Sequence, residues 1–272
     1  MTASNAATYE AQYEDVSAQQ KELCDAYQAS LDKLDTEDSS QGMITIMTST
    51  LILVGMWQES MMMEEVVTLN ALSTMEADEN SMQSDFDQYD EEWSEVYDDN
   101  YNTAITSYKY TEEEAEEYGE YMADTYMSTT GKATSDLISD AYGYAEDMEA
   151  IASLPEFASI SDDVTNQIDS IFVVNSDGTL NYDETADRWD EADGAAKTSG
   201  SDSSDSSGAD IMQDITNGFS ALSTDFSGVS SSAQSEMQYY ESEDQQMQGL
   251  DETLMKSWAT ELQSMVNNQV VS

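Results

Sequence analysis

The residues best placed to do chemistry lie between Asn175 and Glu184, in the run Asn-Ser-Asp-Gly-Thr-Leu-Asn-Tyr-Asp-Glu. With Gly178 at the sixth position of a calcium-binding loop, Asn175 and Asp177 fall at the third and fifth, Leu180 at the eighth, Asn181 at the ninth and Glu184 at the twelfth. This spacing supplies oxygen ligands around a sharp glycine turn, and Ca²⁺ is the hard cation it would take. The first position is Val173, which has no ligating atom, so the match is degenerate. The same residues also read as an Asx-Gly hairpin turn after the β-branched and aromatic run Ser170 to Val174.

Little else offers chemistry. Histidine is absent, which removes the usual general base near neutral pH and the commonest metal ligand. Cys24 is alone, so neither an intrachain disulfide nor a thiolate metal cluster can form, and it is expected as a small buried apolar residue. Gly131 to Thr134 ends like a phosphate loop but lacks the upstream glycine. Carboxylates are so frequent that no pair of them is diagnostic. The chain reads as a non-enzyme without an obligate cofactor.

The charge balance narrows the partners. Fifty-eight acids stand against seven bases, a net charge of -51. Phosphate backbones are recognised with Lys and Arg, so nucleic acid is excluded as a partner, and anionic membrane surfaces are disfavoured. Self-repulsion opposes compaction at low salt. Basic proteins, divalent cations or a salt-rich environment are the natural counterparts.

The elements that must position any functional surface are helices. There is one proline, Pro155, so long uninterrupted helices are permitted. Residues 1–34 carry an apolar seam at Tyr9, Tyr13, Val16, Leu23, Tyr27, Leu31 and Leu34. Residues 43–130 form a long amphipathic helical region with an anionic polar face. Residues 131–191 hold a further helix that ends before Pro155 and a small insertion, near 155–191, with α/β or hairpin character. Residues 192–210 are rich in Ser, Gly and Asp and read as a linker. Residues 211–272 form a coiled-coil helix. The expected fold is all-α, with the N-terminal-half and C-terminal helices paired.

Met43 to Met63 decides what such a fold is for. No charge occurs from Ser39 to Gln58, about twenty residues, nominally the length of a membrane span. Its threonines and serines dilute it, no basic residue flanks it, and Glu59, Glu64 and Glu65 follow. Met61, Met62 and Met63 are consecutive and spread around the helix, so they cannot all face one seam. The segment must be enclosed on most sides or covered by another chain. Met47, Leu51, Val54, Met61, Met62, Val66 and Leu69 are candidates for that surface, with Leu222, Phe226, Val229, Met247, Leu254, Trp258 and Leu262 on the C-terminal seam. A membrane-inserting translocator using residues 43–63, and an acidic protein that occupies a basic partner surface, are the alternatives.

The first twenty residues, "MTASNAATYEAQYEDVSAQQ", contain no basic n-region and no apolar h-region, so no cleaved signal peptide is expected. With the apolar helix "ITIMTSTLILVGMWQESMMMEEVVTLNALSTM", a variable middle and the terminal helix "SSAQSEMQYYESEDQQMQGLDETLMKSWATELQSMVNNQ", the layout resembles secreted structural proteins of bacterial type III secretion systems. The nearest in layout are EspA-type filament and needle-tip proteins. That resemblance implies a secreted, extracellular homo-oligomer without a cleaved leader, assembled through its terminal helices. It also implies a dedicated chaperone that masks the 43–72 helix before export.

Overall fold

The computed structural model describes residues 5–37, 40–129, 133–176, 178–198 and 207–270; from 251 onward it describes α7 mainly as backbone. Among these, seven α-helices follow in order: α1 (Asn5–Thr36), α2 (Ser40–Thr103), α3 (Glu112–Thr129), α4 (Ala133–Ala152), α5 (Ser161–Ile171), α6 (Tyr182–Thr198) and α7 (Ser207–Val270). The fold is all-α, with long helices packed side by side. The hairpin expected after Val173 reduces to one antiparallel bridge, Val174 to Leu180.

The chain divides into two compact units. Unit 1 comprises Met1–Ala6 and Leu72–Gly228; unit 2 comprises Ala7–Ala71 and Val229–Ser272. In unit 1 the α2 seam is a run of three- and four-residue steps. Leu72, Met75, Met82, Phe86, Tyr89 and Trp93 are buried along it, with Glu79 at the intervening position. α2 ends in a π-turn over Ala104–Tyr108, closed by Lys109 in the left-handed region at φ 62°. α3 starts on a capping box: Thr111 Oγ1 accepts from Glu114 N (3.3 Å) and Thr111 N donates to Glu114 Oε2 (2.9 Å). Pro155 opens a short 3₁₀ turn after α4, with Leu154 extended at ψ 146° as a residue before proline prefers. α5 buries Val164, Ile168 and Ile171 at helical spacing.

α6 corrects the expected layout. Residues 192–198 belong to it, and 207–210 belong to α7; the rest of the expected 192–210 linker lies outside the described residues. Ala192 and Asp193 are fully buried. The part of the insertion from Tyr182 on and the start of the expected linker are one helix, in which Thr185, Trp189 and Ala192 recur on one buried face. Trp189 is the hub of unit 1. Its ring meets Phe86 edge-on at 5.0 Å, Tyr89 at 5.1 Å and Phe172 at 5.8 Å, and its indole N–H donates to Ile171 O at 3.1 Å. Phe86 meets Phe219 of α7 at 6.0 Å.

In unit 2, α1 and α2 run antiparallel. Tyr9 Oη donates to Asn70 O (3.1 Å), Tyr13 shares a hydrogen bond with Thr68 (2.8 Å), and Gln20 Nε2 donates to Glu64 Oε2 (2.7 Å). The expected α1 seam is buried at Tyr13, Val16 and Leu23, whereas Tyr27 is exposed. α7 packs antiparallel on α2: Glu65 hydrogen-bonds Glu236, and a Cβ at Gly55 would stand 3.8 Å from Asp244 Oδ1.

Candidate functional site

The N-terminal part of α2 carries the most unusual surface. Within unit 2 this helix buries Gln58, Ser60 and Thr68, all polar. It leaves outside Ile52 (57 % exposed), Met56, Met63 and Val66. These four, with Glu59 among them, step by four, three, four and three residues and so share one stripe. The inner face also buries Val67 and Ala71, so it mixes polar and apolar side chains, while the outer face carries this apolar stripe. On the inner face Ser60 Oγ is satisfied within α2 by donating to Trp57 O (2.7 Å), and the Tyr13–Thr68 pair ties α2 to α1.

Beside the stripe, α1 and α2 form a groove of about 450 Å³ lined by Leu23, Cys24, Tyr27, Gln28, Leu53, Val54 and Trp57. Cys24, expected as a buried apolar residue, is exposed at this groove.

The sequence-derived surface residues divide. Met47 and Val66 are exposed, whereas Leu51, Val54, Met61, Met62 and Leu69 are half-buried. Leu222 and Phe226 are fully buried in unit 1, which corrects their assignment to an assembly surface: they are core residues. Val229 and Met247 are half-buried, and the side chains of Leu254, Trp258 and Leu262 lie outside the described residues. Sequence reasoning missed Ile52, Met56 and Met63. The signal was present as a second heptad-like stripe offset from the first, but two apolar stripes on one helix do not reveal which of them faces inward.

The loop at 175–184 is a tight turn. Gly178 N donates to Asn175 O (2.9 Å), Asn175 N to Thr179 O (2.8 Å) and Asn181 N to Val173 O (2.8 Å). Gly178 has φ +82°, the left-handed conformation this turn demands. Asn175 Nδ2 donates to Thr179 Oγ1, and Asn181 Oδ1 accepts from Glu184 N at 3.4 Å, capping α6. Both candidate amide ligands are thus engaged in holding the turn. Glu184 is exposed in the first turn of α6, and Asp177 lies outside the described residues. Among the described residues no group of three or more acidic, His or Cys side chains is placed to hold a metal ion.

Unit 1 also buries carboxyl groups. Asp193 is fully buried and Asp190 half-buried; the hydroxyl of Tyr89 donates to Asp190 Oδ1 at 2.7 Å, and Trp93 Nε1 donates to Asp124 Oδ1 at 2.9 Å. Burial, then the neighbouring Asp90, pushes Asp193 up to about 9. Burial raises Asp190 to about 7 despite the Tyr89 hydrogen bond. Asp78 rises to about 6 through burial and the nearby Asp147. In unit 2, burial and then Glu236 raise Glu65 to about 7.

No family model, curated protein or solved structure matches this chain significantly. Among the described residues no helix is long and apolar enough to cross a membrane.

Proposed function

We propose that this chain is a non-catalytic helical subunit that assembles with copies of itself through the outward stripe of α2. The observation that carries this reading is the outward apolar stripe of α2 in unit 2: Ile52, Met56, Met63 and Val66 stay exposed while Gln58, Ser60 and Thr68 are buried. Exposed apolar side chains in register favour a helix partner, and methionine adapts its shape to one. A second copy can be that partner in spite of the charge each chain carries. Two chains of net charge -51 repel over most of their surfaces. The stretch from Ser39 to Gln58 is uncharged and the stripe beyond it carries only Glu59, so copies can meet there with few carboxylates brought together. The layout likeness to secreted filament and needle-tip subunits supports the finer proposal of an extracellular assembly whose apolar helix is held by a chaperone before export.

Size-exclusion chromatography with light scattering, over a range of concentrations and from about 0.1 to about 1 M salt, tests it. Oligomers that grow with concentration and salt are expected. The Ile52→Asp/Met63→Asp variant should keep its helical circular dichroism, since both sites are exposed, and run as a monomer. A wild-type chain that stays monomeric throughout overturns the reading. Flotation with neutral vesicles, abolished by the same variant, would instead assign the stripe to a lipid surface.

A further inference from the structure

Within unit 1, α2 and α7 enclose a groove of about 470 Å³, a volume suited to a small molecule. Glu76, Glu79 and Asp87 line it from α2, and Thr216, Ser220, Ser223 and Ser227 from α7. Phe86 and Phe219 line it as well, with their rings 6.0 Å apart. Glu79 is only 6 % exposed, yet no hydrogen bond or ion pair reaches it among the described residues. Burial, and then the charge of Glu76, raises its affinity for a proton. A carboxylate in such a place is costly unless a cation meets it.

The other lining groups present acceptors too. Asn80 Nδ2 donates to Glu76 O (2.6 Å), which leaves its carbonyl oxygen for the groove. Thr216 Oγ1 donates to Met212 O (2.8 Å), so towards the groove its oxygen accepts. No described lining residue is basic. A ligand must therefore bring hydrogen-bond donors and positive charge, and the net charge of -51 concentrates cations around the chain. The site is also long. Glu76 to Asp87 and Thr216 to Ser227 each cover about 16 Å of helix, with polar groups recurring every three or four residues. One metal ion cannot span that length, and among the described residues no group of three carboxylates is placed to hold one.

We propose that this groove binds a linear aliphatic polyamine. Its ammonium groups meet the carboxylates of α2 and the hydroxyl oxygens of α7, and its methylenes lie over Phe86 and Phe219. The mix of charge and hydrocarbon along such a molecule matches the mix of carboxylate and aromatic ring along the groove. Glu79 is the anchor, because a charge-assisted hydrogen bond gains most at the least solvated carboxylate. A basic peptide is a poorer match, since its backbone carbonyls bring further acceptors to a groove already dominated by them. The groove lies wholly within unit 1, so the inference does not rest on self-association through the α2 stripe of unit 2.

Isothermal titration calorimetry with spermine at about 0.15 M salt tests it. One saturable site per chain is expected. Glu79→Gln keeps the shape of the side chain and should weaken binding by about tenfold or more. Glu112→Gln removes an exposed charge in the first turn of α3, outside the groove, and should change the affinity by less than about twofold. Ser223→Leu, at an exposed position on the α7 wall, should block the groove and abolish the site. Circular dichroism should show both groove variants folded. Putrescine, too short to reach from Glu76 to Asp87, should bind about tenfold more weakly than spermine. Equal weakening by Glu79→Gln and Glu112→Gln, saturation at many equivalent sites, full affinity in Ser223→Leu, displacement of spermine by Mg²⁺ at matched ionic strength, or tighter binding of tetralysine than of spermine would each overturn the proposal.

Discussion

Trp189 shows how much one side chain can organise here. It is fully buried among Phe86, Tyr89 and Phe172 and has its N–H satisfied by Ile171 O. Trp189→Ala should cost about 3–5 kcal/mol by chemical denaturation, with loss of near-ultraviolet ellipticity. Gly218 is a second such position. A Cβ there would lie 2.6 Å from Ser170 Oγ and 3.2 Å from Ile171 Cγ1, so α7 approaches α5 too closely for a side chain. Gly218→Ala gains helix propensity, yet the clash should dominate and lower stability by about 1–3 kcal/mol. Neither residue was conspicuous in the sequence. Trp189 sits among acids and Gly218 is a poor helix former by composition; the packing of Trp189 on α2 and Ile171, and of Gly218 on α5, gives each its role.

The elements explain which sequence expectations held. Absence of proline and long three- and four-residue apolar steps made α1, α2 and α7 legible, and the buried run Leu72 to Trp93 follows the seam closely. α6 was hidden because its residues 190–193 read Asp-Glu-Ala-Asp, and burial of Asp193 contradicts the usual exposure of acids. α3 rests on its capping box, so Thr111→Ala should cost about 1 kcal/mol and increase hydrogen exchange over residues 112–116. The α2 stripe makes the converse prediction. Glu59 is the charge within it, and Glu59→Leu should tighten self-association by about tenfold in sedimentation velocity, since a desolvated carboxylate is replaced by apolar surface. An unchanged association constant would place the contact elsewhere.

At the scale of the whole chain, charge governs stability. With net charge -51 the unfolding midpoint should rise by about 5 °C or more between about 0.1 and about 1 M salt, read by circular dichroism. The pH dependence has the same origin at shorter range. Asp78, Asp190, Asp193 and Glu65 all titrate higher folded than free, at about 6, 7, 9 and 7. The folded chain therefore binds more protons than the unfolded chain from about pH 4 to about pH 9, so stability falls as pH rises through that window. The midpoint at pH 5.5 should exceed that at pH 8, and Asp193→Asn should narrow the difference at high salt, where surface repulsion is screened.

The amino-acid sequence by itself determined the helical class, the long seams, the turn at Gly178 and the anionic character. These depend on local spacing, backbone preference and composition, which act before any distant contact forms. The tertiary structure alone decided which of two apolar stripes on α2 faces outward, that Leu222 and Phe226 are core, that Cys24 is exposed, and that Asp193 is buried. Each depends on what a distant segment places opposite a given face. A helix of this periodicity is compatible with more than one inward face, and the neighbouring helices choose among them.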